Sequence, residues 1–365
     1  MATNVMNHPV VDLLKSLMSI VSTSELEHGI GVFLEHHLQS LGYTVERIPI
    51  APGSPRHNVY AYLGSARRTR VLLTAHMDTV PPHIPPATDG DVVRGRGSSD
   101  DLGPLAAQIL AAEELRKEGK ISSEGDVALL FVVGEENGGH GMVAANDMGV
   151  TWESGIFAEP TEGKLAKGHK GQVAFELVAT GLACDDIQDY AHAQGKNNSH
   201  SGYPHLGKSA TSALLAVLND LTAATWPESD LLGPSTFNIG TLEGGEKHNI
   251  VAPSAKALCE VRMVSDLPGI KTKVAEIVSK HPDVELKWVF EYPEALLDWQ
   301  IEGFDAAPVA FGTDVPRLGD EFCKKRVLYG PGSILVAHGP DEYIRVPELI
   351  GSIDGYKRLV LHFLG

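Results

Sequence analysis

Seven side chains in this sequence could together do hydrolytic chemistry on two adjacent divalent metals: His76, Asp78, Asp100, Glu135, Glu136, Glu159 and His338. Two imidazoles among carboxylates, with no thiolate in the set, suit Zn²⁺, Co²⁺ or Mn²⁺ in a catalytic role and argue against a structural zinc. Their placement is as informative as their types. VLLTAHMDTVPP carries His76 and Asp78 to the end of an apolar run, and LLFVVGEENGG does the same for Glu135 and Glu136. GIFAEPTEG and ILVAHGPDE repeat the pattern for Glu159 and His338, while GRGSSDDLG puts Asp100 just ahead of a predicted helix. Function in open α/β sheets collects at the carboxyl ends of the strands, so these are positions where a site would form. A Glu–Glu pair in a loop is usually two solvated carboxylates, and a lone loop histidine is usually solvated as well. The apolar run before the pair and the company of the other motifs reverse both readings, because buried charge needs compensation that metals supply.

The elements that must hold these residues follow from the periodicity. Apolar residues at helical spacing from Val10 to about Leu41 predict two helices broken near Ser22–Ser24. The β-rich runs YTVERIPI, HNVYAYLG and RVLLTAHM follow, then a helix at GPLAAQILAAEELRKEG and strands at DVALLFVV and SGIFAE. Strands alternating with helices predict a three-layer αβα domain of the α/β class. The pattern changes near Lys170. From there GQVAFELVAT, KSATSALLAVLNDLTAA, STFNIGTLEGG, AKALCEVRMV, LPGIKTKVAEIVSKH and DVELKWVFEYPE give the order β-α-β-β-α-β of a ferredoxin-like α+β unit. After about Pro293 the chain reads as loops carrying FGTDVPRLG, GPGS and His338, closed by a helix from about Pro347 to Phe363. Candidate ligands lie on both sides of the smaller unit, so it must be inserted: residues 1–172 and 294–365 form a discontinuous dimetal domain, and residues 173–293 the inserted one. Two domains suit a chain of 365 residues.

Composition narrows the class of partner. Hydrophobic residues at 43% and charged residues at 21% describe an ordinary globular protein. A net charge of −17 discourages binding to nucleic acid or to an anionic membrane. Cys184, Cys259 and Cys323 are too few and too scattered for a disulfide framework, which suits a reducing compartment. MATNVMNHPVVDLL has neither a basic start nor a long apolar core, and no apolar run nears the roughly 20 residues of a membrane span. A soluble, cytoplasmic protein is the expectation.

Taken in order, HMDTVPP, GRGSSDDLGPLAA, EENGG, AEPTEGKLAKGHKG, HSGYPHLGKSA and GPGSILVAHGPDEY resemble the M20 family of metal-dependent amidohydrolases and exopeptidases. Within it the likeness is to the acetylornithine/acetylcitrulline deacetylases. The series runs from His76 to Glu342, so the resemblance covers nearly the whole chain. It implies one ion held by His76, Asp100 and Glu159 and a second by Asp100, Glu136 and His338. Asp100 would bridge them, one oxygen to each, at the ~3.5–4 Å separation of two-metal hydrolases. Asp78 would accept the other imidazole N–H of His76 and fix its tautomer. Glu135 would be the general base, taking a proton from the attacking water and passing it to the departing amine. A cis peptide between Asp100 and Asp101 belongs to the same likeness.

The resemblance also implies that the inserted domain closes over the metals and mediates a homodimer. His200 would reach the partner's site and donate to the oxyanion of the tetrahedral intermediate. Asn249 and Arg262 match substrate-binding positions, and the Arg262 guanidinium would grip an α-carboxylate with both arms. The backbone N–H groups of Gly330–Ser333, Gly332 among them, would serve the same carboxylate. One stretch departs from the family: DDIQDYAHAQGKNN, Asp185–Asn198, is inserted just before the His200 motif and is predicted to be a polar surface excursion. His192 within it is read as solvated.

The expected reaction is hydrolysis of the amide of an N-acetyl-L-amino acid, acetylcitrulline or acetylornithine, in arginine biosynthesis, with two Zn or Co ions. Acetyllysine stays open as a substrate, as does a dipeptidase or aminopeptidase activity on the same fold. A non-catalytic metal or amino-acid binding protein would be expected to have lost Glu135 or a ligand, and this chain has lost none.

Overall fold

The computed structural model describes residues 5–121, 124–181 and 207–365. His200, Cys184 and the 185–198 stretch therefore lie outside the described residues. The chain divides into two compact units: Met1–Gly168 with Leu296–Val309 and Thr313–Gly365, and His169–Ala295 with Ala310–Gly312.

The first unit is built on strands β1 (Thr44–Pro49), β2 (His57–Tyr62), β3 (Val71–His76), β4 (Val127–Val132) and β5 (Trp152–Phe157), with a sixth at Cys323–Leu328. They form one mixed sheet in the order β1-β2-β4-β3-β5 and then Cys323–Leu328. β1 and β2 are antiparallel to their neighbours, whereas β4, β3, β5 and the last strand run parallel. Every residue of β2, β3 and β4 is buried, which is why β3 and β4 read as near-continuous apolar runs rather than alternating ones. One face packs Val59, Leu73, Leu129 and Phe131 against helices α1 (Pro9–Met18), α2 (His28–Ser40), α3 (Leu102–Lys117) and the C-terminal helix Val346–Leu364. Tyr60, Leu72 and Leu130 alternate with those residues and are equally buried, so the other face is covered too.

Two expectations fail here, both in the last third of the chain. The stretch around CKKRVL is not loop but the edge strand Cys323–Leu328, pairing with β5 from Cys323↔Trp152 to Leu328↔Phe157. Exposed Lys324 and Lys325 break its apolar run, so only Val327 and Leu328 advertise burial. ILVAH is not a strand: it lies in turns, with Leu335 solvent-exposed and His338 at φ +63°. A small three-stranded sheet of Ala87–Asp89, Val92–Arg94 and Tyr343–Arg345 was also not anticipated.

The second unit contains β6 (Gly171–Thr180), α4 (Ala210–Ala223), β7 (Thr236–Gly244), β8 (Ser254–Met263), α5 (Leu267–Ser279) and β9 (Val284–Tyr292). Its four-stranded sheet has the order β7-β8-β6-β9 with antiparallel pairs throughout. Leu214, Leu218 and Leu221 of α4 and Ile270, Val274 and Val278 of α5 share a core with Val173, Phe175 and Leu177 of β6. That is the ferredoxin-like arrangement. Among the described residues no helix is long and apolar enough to cross a membrane.

Candidate metal centre

Because β4, β3 and β5 are parallel neighbours, their carboxyl ends emerge side by side. His76 is the last residue of β3, Glu135 and Glu136 follow β4, and Glu159 follows β5. Gly134, at φ +72°, turns the chain out of β4 so that two successive glutamates face one region. Asp100 stands at the start of α3, and its peptide bond to Asp101 is cis.

The geometry centres on Asp100. Its Oδ1 lies 2.9 Å from His76 Nε2, and its Oδ2 lies 3.1 Å from His338 Nε2. His338 Nε2 is also 3.2 Å from Glu136 Oε1. Ligand atoms of His76, Asp100 and Glu136 all fall within 4.8 Å of one another. Glu159 is buried and lines a small cavity with His76, Glu135, Thr74 and Asp314. All seven residues singled out from the sequence thus belong to one region of the first unit. Asn249, in an exposed turn, and Arg262, on β8, belong to the second unit. There the Arg262 Nε donates to Glu260 at 3.1 Å and its Nη1 to the Tyr292 hydroxyl at 3.0 Å. Gly332, at φ +80°, lets the 330–333 loop pass against Ser99, where any Cβ would collide with the serine side chain.

Asp78 is arranged differently from the expectation. The Nδ1–H of His76 donates to the backbone carbonyl of Asp78 at 2.9 Å, while the Asp78 carboxylate stands 3.6 Å away. That carboxylate instead accepts the Glu135 amide at 3.0 Å, the Glu136 amide at 3.3 Å and the Ser24 hydroxyl at 2.9 Å. Tautomer control therefore comes from the chain itself, and the side chain anchors the Glu135–Glu136 turn.

The charge balance fits divalent cations. Burial, reinforced by neighbouring carboxylates, pushes Glu135, Glu159 and Asp101 well above the usual carboxylate range and Asp314 up to about 7. Burial also works to raise Asp100, but hydrogen bonds from His338 and His76 hold it below its ordinary value. His338 is raised to about 10 by its hydrogen bonds to Asp100 and Glu136. Burial lowers the proton affinity of His76, and its contacts with Asp100 and Asp78 more than reverse that. With Nδ1 donating to a carbonyl, a neutral His76 would aim the Nε2 lone pair at a carboxylate oxygen. That contact is favourable only if positive charge sits there, as a proton or as a metal ion. A donor set of imidazole nitrogen and carboxylate oxygen suits the borderline divalent metals.

Three contributors escaped the sequence reading. Asp314 is buried in FGTDVPRLG beside Glu135, with Oδ2 lacking a hydrogen-bond partner. Arg96 and Glu342 form a buried ion pair at 2.6 Å behind Asp100. GRGSSDD and HGPDE, motifs already singled out, contain the latter pair; what no spacing reveals is that they meet.

The family model for peptidase family M20/M25/M40 matches residues 72–362, and the chain belongs to that family. A peptidase M20 domain-containing protein of Schizosaccharomyces pombe is 45% identical over 358 residues, covering 97% of this chain and 85% of that protein. A probable carboxypeptidase of Aspergillus clavatus is 37% identical over 388 residues, covering 96% and 88% respectively. Among solved structures, the aminopeptidase PepT of Bacillus cereus superposes with a TM-score of 0.75 at 19% identity, over 98% of each chain, and shows the shared fold. The protein is a metal-dependent hydrolase of the M20 family. Its curated relatives carry peptidase and carboxypeptidase names, so the deacetylase specificity expected from the motifs is a finer claim than family membership.

Proposed function

We propose that this protein hydrolyses an amide whose leaving amine is an α-amino acid with a free carboxylate, using two divalent ions, Zn or Co. N-acetyl-L-amino acids, acetylcitrulline or acetylornithine, are the proposed substrates on the strength of the motif likeness. The observation that carries the reading is the single Asp100 carboxylate presenting each of its oxygens to a different histidine, at 2.9 and 3.1 Å.

His76, Asp100 and Glu159 would hold one ion, and Asp100, Glu136 and His338 the other. Bound there, the ions would polarise the scissile carbonyl and acidify a water. Glu135 does the proton work: it takes a proton from the attacking water and returns it to the departing amine. Burial raises the proton affinity of its carboxyl, His76 opposes that, and the Asp314, Glu136 and Asp78 carboxylates add to it. Asp78 keeps Glu135 in place through the backbone. Arg262, with its fork already held by Glu260 and Tyr292, is the proposed grip on the substrate carboxylate. A homodimer formed through the inserted unit, with His200 as an oxyanion donor, is proposed from the family likeness alone.

A second reading, carboxypeptidase or dipeptidase activity, is favoured by the name of the Aspergillus clavatus relative. The two share the bond and the carboxylate and differ in what lies on the acyl side. A kcat/KM panel of N-acetyl amino acids, dipeptides and their C-terminal amides separates them. The first reading expects the acetyl series to lead and the second expects the free peptides to lead. Equal cleavage of the amides would sink the carboxylate requirement in both.

A further inference from the structure

Arg96 and Glu342 are 2% and 1% exposed, and neither is a candidate metal ligand. Glu342 Oε2 accepts from Arg96 Nη1 at 2.6 Å. Its other oxygen accepts two successive backbone amides, Ser99 at 3.0 Å and Asp100 at 3.2 Å. Arg96 Nη2 in turn donates to the carbonyl of His338 at 3.1 Å. The pairing of Val92–Arg94 with Tyr343–Arg345 brings the two segments alongside, and the Gly95 amide donates to the Glu342 carbonyl at 2.9 Å.

One buried ion pair thus grips two ligand-bearing segments far apart in sequence. The Glu342 end fixes the backbone of Asp100, and the Arg96 end fixes that of His338. His338 has the further need of support, because a non-glycine residue at φ +63° keeps that conformation only where its surroundings enforce it. Partners that orient ligands commonly change metal affinity ten- to a hundred-fold when removed.

We propose that Arg96 and Glu342 are positioning residues that set the distance between Asp100 and His338, and with it the affinity of the ion those two residues share with Glu136. This rests on the two-metal reading above. The pair acts on the second ion more than on the first, because it holds the backbone of two of the second ion's ligands, Asp100 and His338, and of only one of the first's, Asp100.

The test uses the full chain stripped of metal and titrated with Zn²⁺ or Co²⁺ by calorimetry, alongside kcat and KM. Glu342→Gln and Arg96→Lys are the first variants; the lysine keeps the charge but lacks the second arm that reaches His338. Arg96→Met/Glu342→Met is the third, since replacing both members of a buried pair by apolar residues of similar volume often preserves folding. The expected result is a second binding step weakened about ten-fold or more with the first step within about three-fold. kcat should fall at limiting metal and recover at high metal, with KM nearly unchanged. A purely structural pair would lower the unfolding midpoint and leave both steps alone. Folded variants with both affinities at wild-type values would overturn the proposal. If the unaltered protein binds fewer than two ions, the two-metal reading fails first, and the two failures are told apart by that control.

Discussion

Asp78 and Glu135 are joined through the backbone: Oδ1 of the aspartate accepts the amide of the glutamate at 3.0 Å, and its Oδ2 accepts the next amide, that of Glu136. A buried carboxylate spanning two successive amides fixes the direction in which both glutamate side chains leave the turn. Asp78→Ala leaves those amides unpaired and is expected to lower kcat roughly 10- to 100-fold while weakening metal binding by a comparable factor. Ser24→Ala removes a single donor to the same carboxylate and should cost much less. Steady-state kinetics with parallel metal titrations check the ordering; wild-type kcat in a folded Asp78→Ala protein would contradict it.

Glu135 and Glu136 should separate cleanly on substitution. Glu135→Gln is expected to retain metal and lose at least ~10²-fold in kcat, the scale of general base catalysis. Glu136→Gln, altering the carboxylate 3.2 Å from His338, should lose metal first and activity as a consequence, with partial recovery at high metal concentration. Equal loss of metal in both variants would contradict the division of labour.

The second unit should carry its own pH signature. His169 is buried, its Nδ1–H donates to the Lys170 carbonyl at 3.0 Å, and burial lowers its pKa from 6.5 to about 4. Between those values the unfolded chain takes up a proton that the folded chain refuses. The contribution of His169 to stability is therefore constant above pH 6.5, falls as the pH drops through the window and levels off below about 4. A shift of that size corresponds to something on the order of 3 kcal/mol. Urea denaturation of the wild type and of His169→Phe, compared across the window, isolates it: the wild type should lose more stability on acidification than the variant. Parallel curves would rule the effect out.

How much of this was readable in the sequence depended on how local the signal was. His76, Glu135 and Glu136 were legible because they end or follow strands buried on both faces, which read as near-continuous apolar runs, whereas Glu159 follows only the short apolar end of a strand that carries the exposed Glu153. The ferredoxin-like order of the second unit was legible for a similar reason, its strands and helices each carrying their own period. Cys323–Leu328 was not, because an edge strand with two exposed lysines lacks that run. His338 was found by its motif although the reason first attached to it, a preceding strand, does not hold. The contact between Arg96 and Glu342 spans 246 residues of sequence, and nothing in a single sequence registers such a meeting. The same is true of Asp78, whose carboxylate serves amides 57 and 58 residues away rather than the imidazole two residues before it.

Asp100 is where the two-metal reading is most exposed to test, and the direct measurement is metal content and turnover on the same sample. Wild-type protein should carry two divalent ions per chain when saturated, lose all activity on exhaustive chelation, and regain it on return of Zn²⁺ or Co²⁺. Asp100→Ala, deprived of the one carboxylate that faces both histidines, should bind neither ion tightly and stay inactive at any metal concentration. Full turnover by wild-type protein verified to be metal-free, or two tightly held ions in Asp100→Ala, would contradict it.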